Sequence, residues 1–215
     1  MHKVRLGLIG YGNMGAGHAA QILGGKIPRL VLTAVTQHSS ARRPSLPGVK
    51  VFADPVALLR SGLVDAVLIA TPHPTHAPLA LAALKAGFHV LLEKPFAVHK
   101  AEALQVAAAA KRRPRQIFGL VFNQRTDPYF RKIRELIRGG TFGPVRRIHW
   151  TITNWFRPEA YYQSSSWRAT WAGEGGGVLL NQCPHNLDLL QWMTGMPVCV
   201  RAHCHFGRYH DIEVE

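Results

Sequence analysis

A doubly wound parallel α/β sheet, followed by the start of an α+β domain with an open, mainly antiparallel sheet, is the fold class this sequence predicts. Three observations carry it. From Val4 to Val121, short apolar runs alternate with helix-like stretches. A glycine cluster follows directly on the first run. After about Asn123 the style changes to longer alternating stretches, an aromatic loop and one long helical run. Short strands that are apolar on both faces need cover on both faces, which crossover helices supply. The domains are therefore set at residues 1–122 and 123–215.

The elements follow in order. Val4–Ile9 is a short strand that breaks at Gly10, and Met14–Gly24 has helical composition ending in glycine. Leu30–Thr36 is rich in β-branched residues and reads as a strand. Pro55–Ser61 is a short helix with Asp54 as its cap and proline at its start. Asp65–Ala70 is an apolar run, as a strand buried on both faces requires. Thr75–Ala86 is helical and stops at Gly87; Phe88–Leu92 is a strand; Lys100–Lys111 is an alanine-rich helix; Gln116–Val121 closes the series. In the second part, Asp127–Arg138 reads as a helix and Val145–Trp155 as a long strand, with Val145, Ile148, Trp150 and Ile152 giving its alternating character. A loop of aromatics and serines runs from Phe156 to Trp171, glycines cluster from Gly173 to Gly177, Val178–Met193 is helical and Val198–Phe206 is a strand. So few strands cannot bury a sheet face well, so the second domain is expected to be incomplete.

The chain has 215 residues, 47% hydrophobic and 18% charged. That is globular composition, enough for one domain and part of another. The net charge of +14 raises a nucleic-acid partner. The arginines are dispersed, however, with no basic arm and no recognition motif, so none is expected. The excess suits an anionic substrate or cofactor. The first apolar run is too short for a signal peptide, and no later one approaches a membrane span. A soluble cytoplasmic protein without membrane contact is expected. Cys183, Cys199 and Cys204 form no CxxC pair and read as reduced thiols. His203, His205 and His210, even with Asp211, lack ligands to finish a metal set, so no metal is expected.

Gly10-Tyr11-Gly12-Asn13-Met14-Gly15 is a GxGxxG loop between a strand and a helix. In that context it is the dinucleotide-binding turn of a Rossmann domain. Gly10 permits the turn, Gly12 lets the backbone approach a pyrophosphate, and Gly15 lets helix pack on strand. The helix N-terminus offers amides to the phosphates. An NAD site usually has Asp or Glu at the end of the second strand. Here that place holds Thr36 and Gln37, and no acidic residue precedes Asp54. His38, Ser39, Ser40, Arg42 and Arg43 follow. Hydroxyls and arginines suit a 2′-phosphate, which favours NADP over NAD. The alternative is that Gln37 bonds a plain ribose and the arginines are solvated.

Ala70-Thr71-Pro72 with His76 four residues on, then Glu93-Lys94-Pro95, and then Gly175-Gly176-Gly177 leading through Asn181, Cys183, Pro184, His185 and Asp188 together form a specific pattern. On these residues the whole chain resembles the Gfo/Idh/MocA family of oxidoreductases. The resemblance implies hydride transfer between a nicotinamide and a hydroxyl carbon of a sugar, inositol or sugar derivative. It also implies a homo-oligomer in the full-length form, built on the open sheet. It assigns Lys94 to the catalytic site. Thr71, Pro72, His76 and Glu93 fall at the strand ends where an open parallel sheet binds its ligand. Glu93 orients Lys94 or meets the ribose.

Asn181 and His185 are spaced i,i+4 and so share one helix face, and Asp188, i+3 from His185, lies near that face. The family often has an aspartate where Asn181 stands. An amide cannot take a proton, so Asn181 orients a hydroxyl while His185 serves as general acid/base and Lys94 binds the alcohol oxygen. The two roles are also open to exchange, since a buried lysine has a lowered pKa. A core histidine satisfied by Asp188 is the bland alternative. Trp167 and Arg168, near Trp155, Tyr161, Tyr162 and Trp171, suit a sugar ring and an anionic group, or equally plain packing. A glycosidase using bound NAD for transient oxidation, and a non-catalytic dinucleotide-binding protein, are the competing readings.

Overall fold

The computed structural model describes residues 3–38, 45–153, 156–204, 210 and 212. It divides into two compact units, Met1–Val121 and Phe122–Glu215.

In the first unit the elements are β1 (Val4–Ile9), α1 (Asn13–Leu23), β2 (Leu30–Thr36), β3 (Lys50–Phe52), α2 (Pro55–Leu59), β4 (Ala66–Ile69), a 3-10 turn (His73–Thr75), α3 (His76–Lys85), β5 (His89–Leu92), α4 (Lys100–Lys111) and β6 (Phe118–Leu120). The six strands order as β3-β2-β1-β4-β5-β6, and every pairing is parallel. This is the doubly wound order, with its reversal between β1 and β4. Side-chain alternation divides the core in two. Leu6 and Leu8 of β1 join Leu32, Val35 and Leu68 against Ala19 and Ile22 of α1. Ile9 joins Val67, Ile69, Val90 and Leu92 against α3 and α4, through Ala80, Leu84 and Val106. Asp54 caps α2 as the sequence predicts, accepting from Ala57 N at 2.9 Å. The short β3 carries no sequence signal: three residues at a sheet edge are too few to show a period.

The second unit has a 3-10 turn (Asn123–Thr126), α5 (Pro128–Arg138), α6 (Glu159–Gln163), α7 (Trp171–Glu174), a π-helical turn (Val178–Gln182) and α8 (Pro184–Thr194). Asp127 caps α5, its carboxylate accepting from Tyr129 N at 2.8 Å. Arg134 lays its guanidinium over the Trp192 ring, 4.7 Å from the centroid, and donates to Trp192 O at 3.1 Å.

Two expectations are corrected here. Residues 145–153 and 198–204 form no strand among the described residues. A strand needs a neighbour to take its N–H and C=O groups, and alternating polarity does not supply one. The run Val178–Met193 is not one helix. Pro184, with no N–H to give, starts α8 afresh, and Cys183 leaves helical geometry at φ −95° and ψ 5°. Asn181 and His185 therefore lie in successive elements, so the shared helix face that the spacing implies is absent.

Candidate functional site

In the first unit, three chain crossings meet at the carboxyl ends of β1, β4 and β5. Gly10 turns with φ 96°, and a Cβ there would lie 2.5 Å from Ala70 O. Gly15 is tighter: a Cβ would lie 2.1 Å from Gly10 O, so only glycine lets α1 start this close to β1. Gly12 differs. A Cβ on it meets nothing within 4 Å, and Gly12, Asn13 and Met14 are exposed. α1 begins with no side-chain cap and no acidic residue in its first turn. Its leading amides are thus left for an anion, and a dinucleotide pyrophosphate fits this cradle. Tyr11 is half-buried and packs on the α1-side core. Thr36, at the end of β2, anchors the loop by accepting from Gly10 N at 2.9 Å.

Gln37 follows Thr36, half-buried, and its backbone N–H donates to Phe52 O at 3.0 Å; His38 beyond it is exposed. Ser39, Ser40, Arg42 and Arg43, on which the preference for NADP rests, lie outside the described residues.

At the end of β4, Thr71 is half-buried and Pro72 exposed. The Thr75 hydroxyl lies 2.6 Å from Thr71 Oγ1 and 2.7 Å from Pro72 O, which closes the turn into α3. His76 is 1% exposed. Its Nδ1 lies 2.7 Å from Pro95 O and its Nε2 2.9 Å from Thr71 O. Burial pushes its pKa down, against the two carbonyls and Glu93, which favour the charged form. At the end of β5, Glu93 is 4% exposed. Its Oε1 lies 2.6 Å from His18 Nε2, and its Oε2 accepts from Lys94 N at 3.1 Å. Lys94 is half-buried and the Lys94–Pro95 peptide is cis. His18 was not singled out from the sequence. Its signal was there: with Gly15, Ala19 and Ile22 it completes an i, i+3, i+4, i+7 stripe, the face of α1 turned to the sheet.

In the second unit, His185 sits in the first turn of α8, half-buried, edge-on to Phe122 with centroids 5.9 Å apart. Asn181 is 7% exposed and its Nδ2 donates to Glu174 Oε1. Glu174, 1% exposed, also accepts from Ala169 N at 2.7 Å. Asp188 turns to Arg125, not to His185. Arg125 Nε and Nη2 grip its two oxygens at 2.7 and 2.5 Å, and that bond raises the Arg125 pKa. The Arg168 guanidinium lies over two aromatic rings, 4.1 Å from the Tyr161 centroid and 4.7 Å from that of Trp167, and donates to the Tyr161 hydroxyl. Glu174 and Arg125 were missed because their partners are set by packing, not by spacing.

The amide at Asn181 suits a buried carboxylate neighbour. In Asn181→Asp, two carboxyls would share the Glu174 site, and one would be held protonated well above its unfolded pKa. A bound proton in the folded state means stability falls as pH rises above about 4, the unfolded carboxyl value. Urea unfolding is expected to show a loss of about 2–4 kcal/mol at pH 8, shrinking towards pH 5. An equal loss at both pH values would contradict the contact.

Among the described residues, no group of three or more His, Cys, Asp or Glu stands together to hold a metal. His205 and Asp211 lie outside them. Among the same residues, no helix is long and apolar enough to cross a membrane.

Two family models match the chain. One, described as an oxidoreductase family with an NAD-binding Rossmann fold, covers residues 4–119; the other, a GFO/IDH/MocA C-terminal domain, covers residues 130–215. Inositol 2-dehydrogenase of Leifsonia xyli is 31% identical over 91% of this chain and 55% of its own length. The chain thus spans about half the length of the curated relatives it matches. Among solved structures, WlbA dehydrogenase of Bordetella pertussis, in complex with NADH and UDP-GlcNAcA, aligns with TM-score 0.84 and 26% identity over 99% of this chain and 64% of that one. Scyllo-inositol dehydrogenase of Lactobacillus casei, with bound NAD(H) and scyllo-inositol, aligns with TM-score 0.74 and 28% identity over 90% and 56%.

Proposed function

Because the chain belongs to the GFO/IDH/MocA oxidoreductase family, we propose that it is a nicotinamide-dependent dehydrogenase or reductase. Its substrate is a small carbohydrate-like alcohol: a sugar, an inositol or a sugar derivative. The observation that carries this reading is the 2.6 Å contact between His18 and Glu93. It ties the helix that cradles a pyrophosphate to the strand end that carries Lys94. A bound nicotinamide supplies the hydride acceptor or donor. The chain supplies the rest. Gly10 to Gly15 hold the phosphates, and Thr71, Pro72 and Glu93 line the strand ends. Lys94 binds the alcohol oxygen, and its positive charge lowers the hydroxyl pKa. His185 takes or returns the hydroxyl proton. Asn181, Trp167, Arg168 and Asp188 shape the substrate side of the second unit. The full-length form is a cytoplasmic homo-oligomer with no nucleic-acid partner.

NADP is preferred over NAD, since the end of β2 offers Gln37 and His38 where a carboxylate would repel a 2′-phosphate. Titration with NADH and NADPH, followed by fluorescence, reads this. NADPH is expected to bind about tenfold tighter, and Arg42→Ala with Arg43→Ala to remove that margin, the size of one charge-assisted contact. Equal binding, or tighter NADH, rejects the preference. A screen of polyols for net NADPH or NADH formation then tests the activity. Aryl glycoside cleavage without net cofactor turnover would instead identify a glycosidase, and binding with neither reaction a non-catalytic protein.

A further inference from the structure

Lys94 stands between two residues that are each gripped by an imidazole. On one side, Glu93 Oε1 meets His18 Nε2 at 2.6 Å while its Oε2 accepts the Lys94 amide at 3.1 Å. On the other, Pro95 O meets His76 Nδ1 at 2.7 Å, and the far nitrogen of that ring meets Thr71 O at 2.9 Å. The two histidines come from different helices, α1 and α3. The ordinary ladder cannot do this work. Pro95 has no N–H, and β5 ends at Leu92, with Glu93 N making the last link, to Ile69 O at 2.9 Å. Past that point side chains hold the backbone at Lys94 N and at Pro95 O.

We propose that His18 and His76 are positioning residues that fix Lys94, His18 through the Glu93 carboxylate and His76 through the Pro95 carbonyl. Neither ring acts on substrate. His76 is 1% exposed, and both of its nitrogens face carbonyls, so it has no free edge to offer a ligand. The N–H that serves this role is the one at Nδ1, which donates to Pro95 O at 2.7 Å. His18 sits in α1, three residues beyond Gly15, so the helix that cradles the phosphates also sets the lysine.

This inference rests on the role given to Lys94 above, but its test needs neither cofactor nor substrate. Trace acetylation of the folded chain, read by peptide mass spectrometry, reports the reactivity of the Lys94 amine. The exposed Lys85 and Lys111 serve as internal references. In H18A and H76A the relative rate at Lys94 is expected to change by about threefold or more, the size of one lost hydrogen bond. The references should not move. H76N or H76Q, whichever places its amide donor where the ring N–H stood, should restore the wild-type rate. General loosening would shift all lysines and would not be rescued by one amide alone. H18A is the decisive variant, because His18 is partly exposed (25% of its side chain) and its removal leaves no buried gap like that of His76. A wild-type rate at Lys94 in folded H18A overturns the proposal. A shifted rate in a chain that turns over no nicotinamide would sustain it while refuting the function.

Discussion

Gly15→Val is expected to abolish nucleotide binding and to lower stability by about 3 kcal/mol or more. The added Cβ would stand 2.1 Å from Gly10 O, and the obstacle is backbone on both sides. Neither α1 nor the loop can give way alone, since Thr36 holds Gly10 N at 2.9 Å and Ala19 and Ile22 are packed in the core. The helix start must move off β1, and its leading amides move with it. Gly12→Ala separates fold from ligand. A Cβ there meets nothing within 4 Å, and φ −80° suits alanine. Its stability should stay within about 0.5 kcal/mol of wild type, while nucleotide affinity falls about tenfold, because the close approach of ligand to backbone is lost. Urea unfolding and fluorescence titration of both variants check this. Normal NADPH binding by Gly15→Val would mean the loop is not the cradle.

Lys94→Ala is expected to lower kcat by about 10²–10⁴ once a substrate is found, the range lost when a group acting on the transferred proton is removed. Nucleotide affinity should change far less, since the proposed phosphate cradle lies at the start of α1 and not at β5. His185→Ala should give a loss of similar order and also flatten the pH dependence of kcat near neutrality, where an imidazole titrates. The two variants thus separate the roles. A Lys94→Ala protein with wild-type kcat would remove Lys94 from the chemistry. A His185→Ala protein that keeps its pH limb would move the acid/base role elsewhere.

The sequence by itself determined most of the first unit. The GxGxxG loop, its strand and helix, the Asp54 cap and the strands ending at Thr71-Pro72 and Glu93-Lys94-Pro95 all rest on signals within a few residues of one another. Period, glycine and proline express local physics, and local physics survives in a one-dimensional string. Tertiary structure decided the partners. Glu93 finds His18 across 75 positions, and Asp188 finds Arg125 across 63. Asn181 turns to Glu174, and spacing had set it on a face with His185 instead. The segments 145–153 and 198–204 show the converse: they alternate as strands do, yet none forms there. A charged or amide side chain is satisfied by whichever group packing brings within about 3 Å, and a strand by whichever neighbour shares its hydrogen bonds. Both are facts of three-dimensional proximity, which residue spacing does not encode.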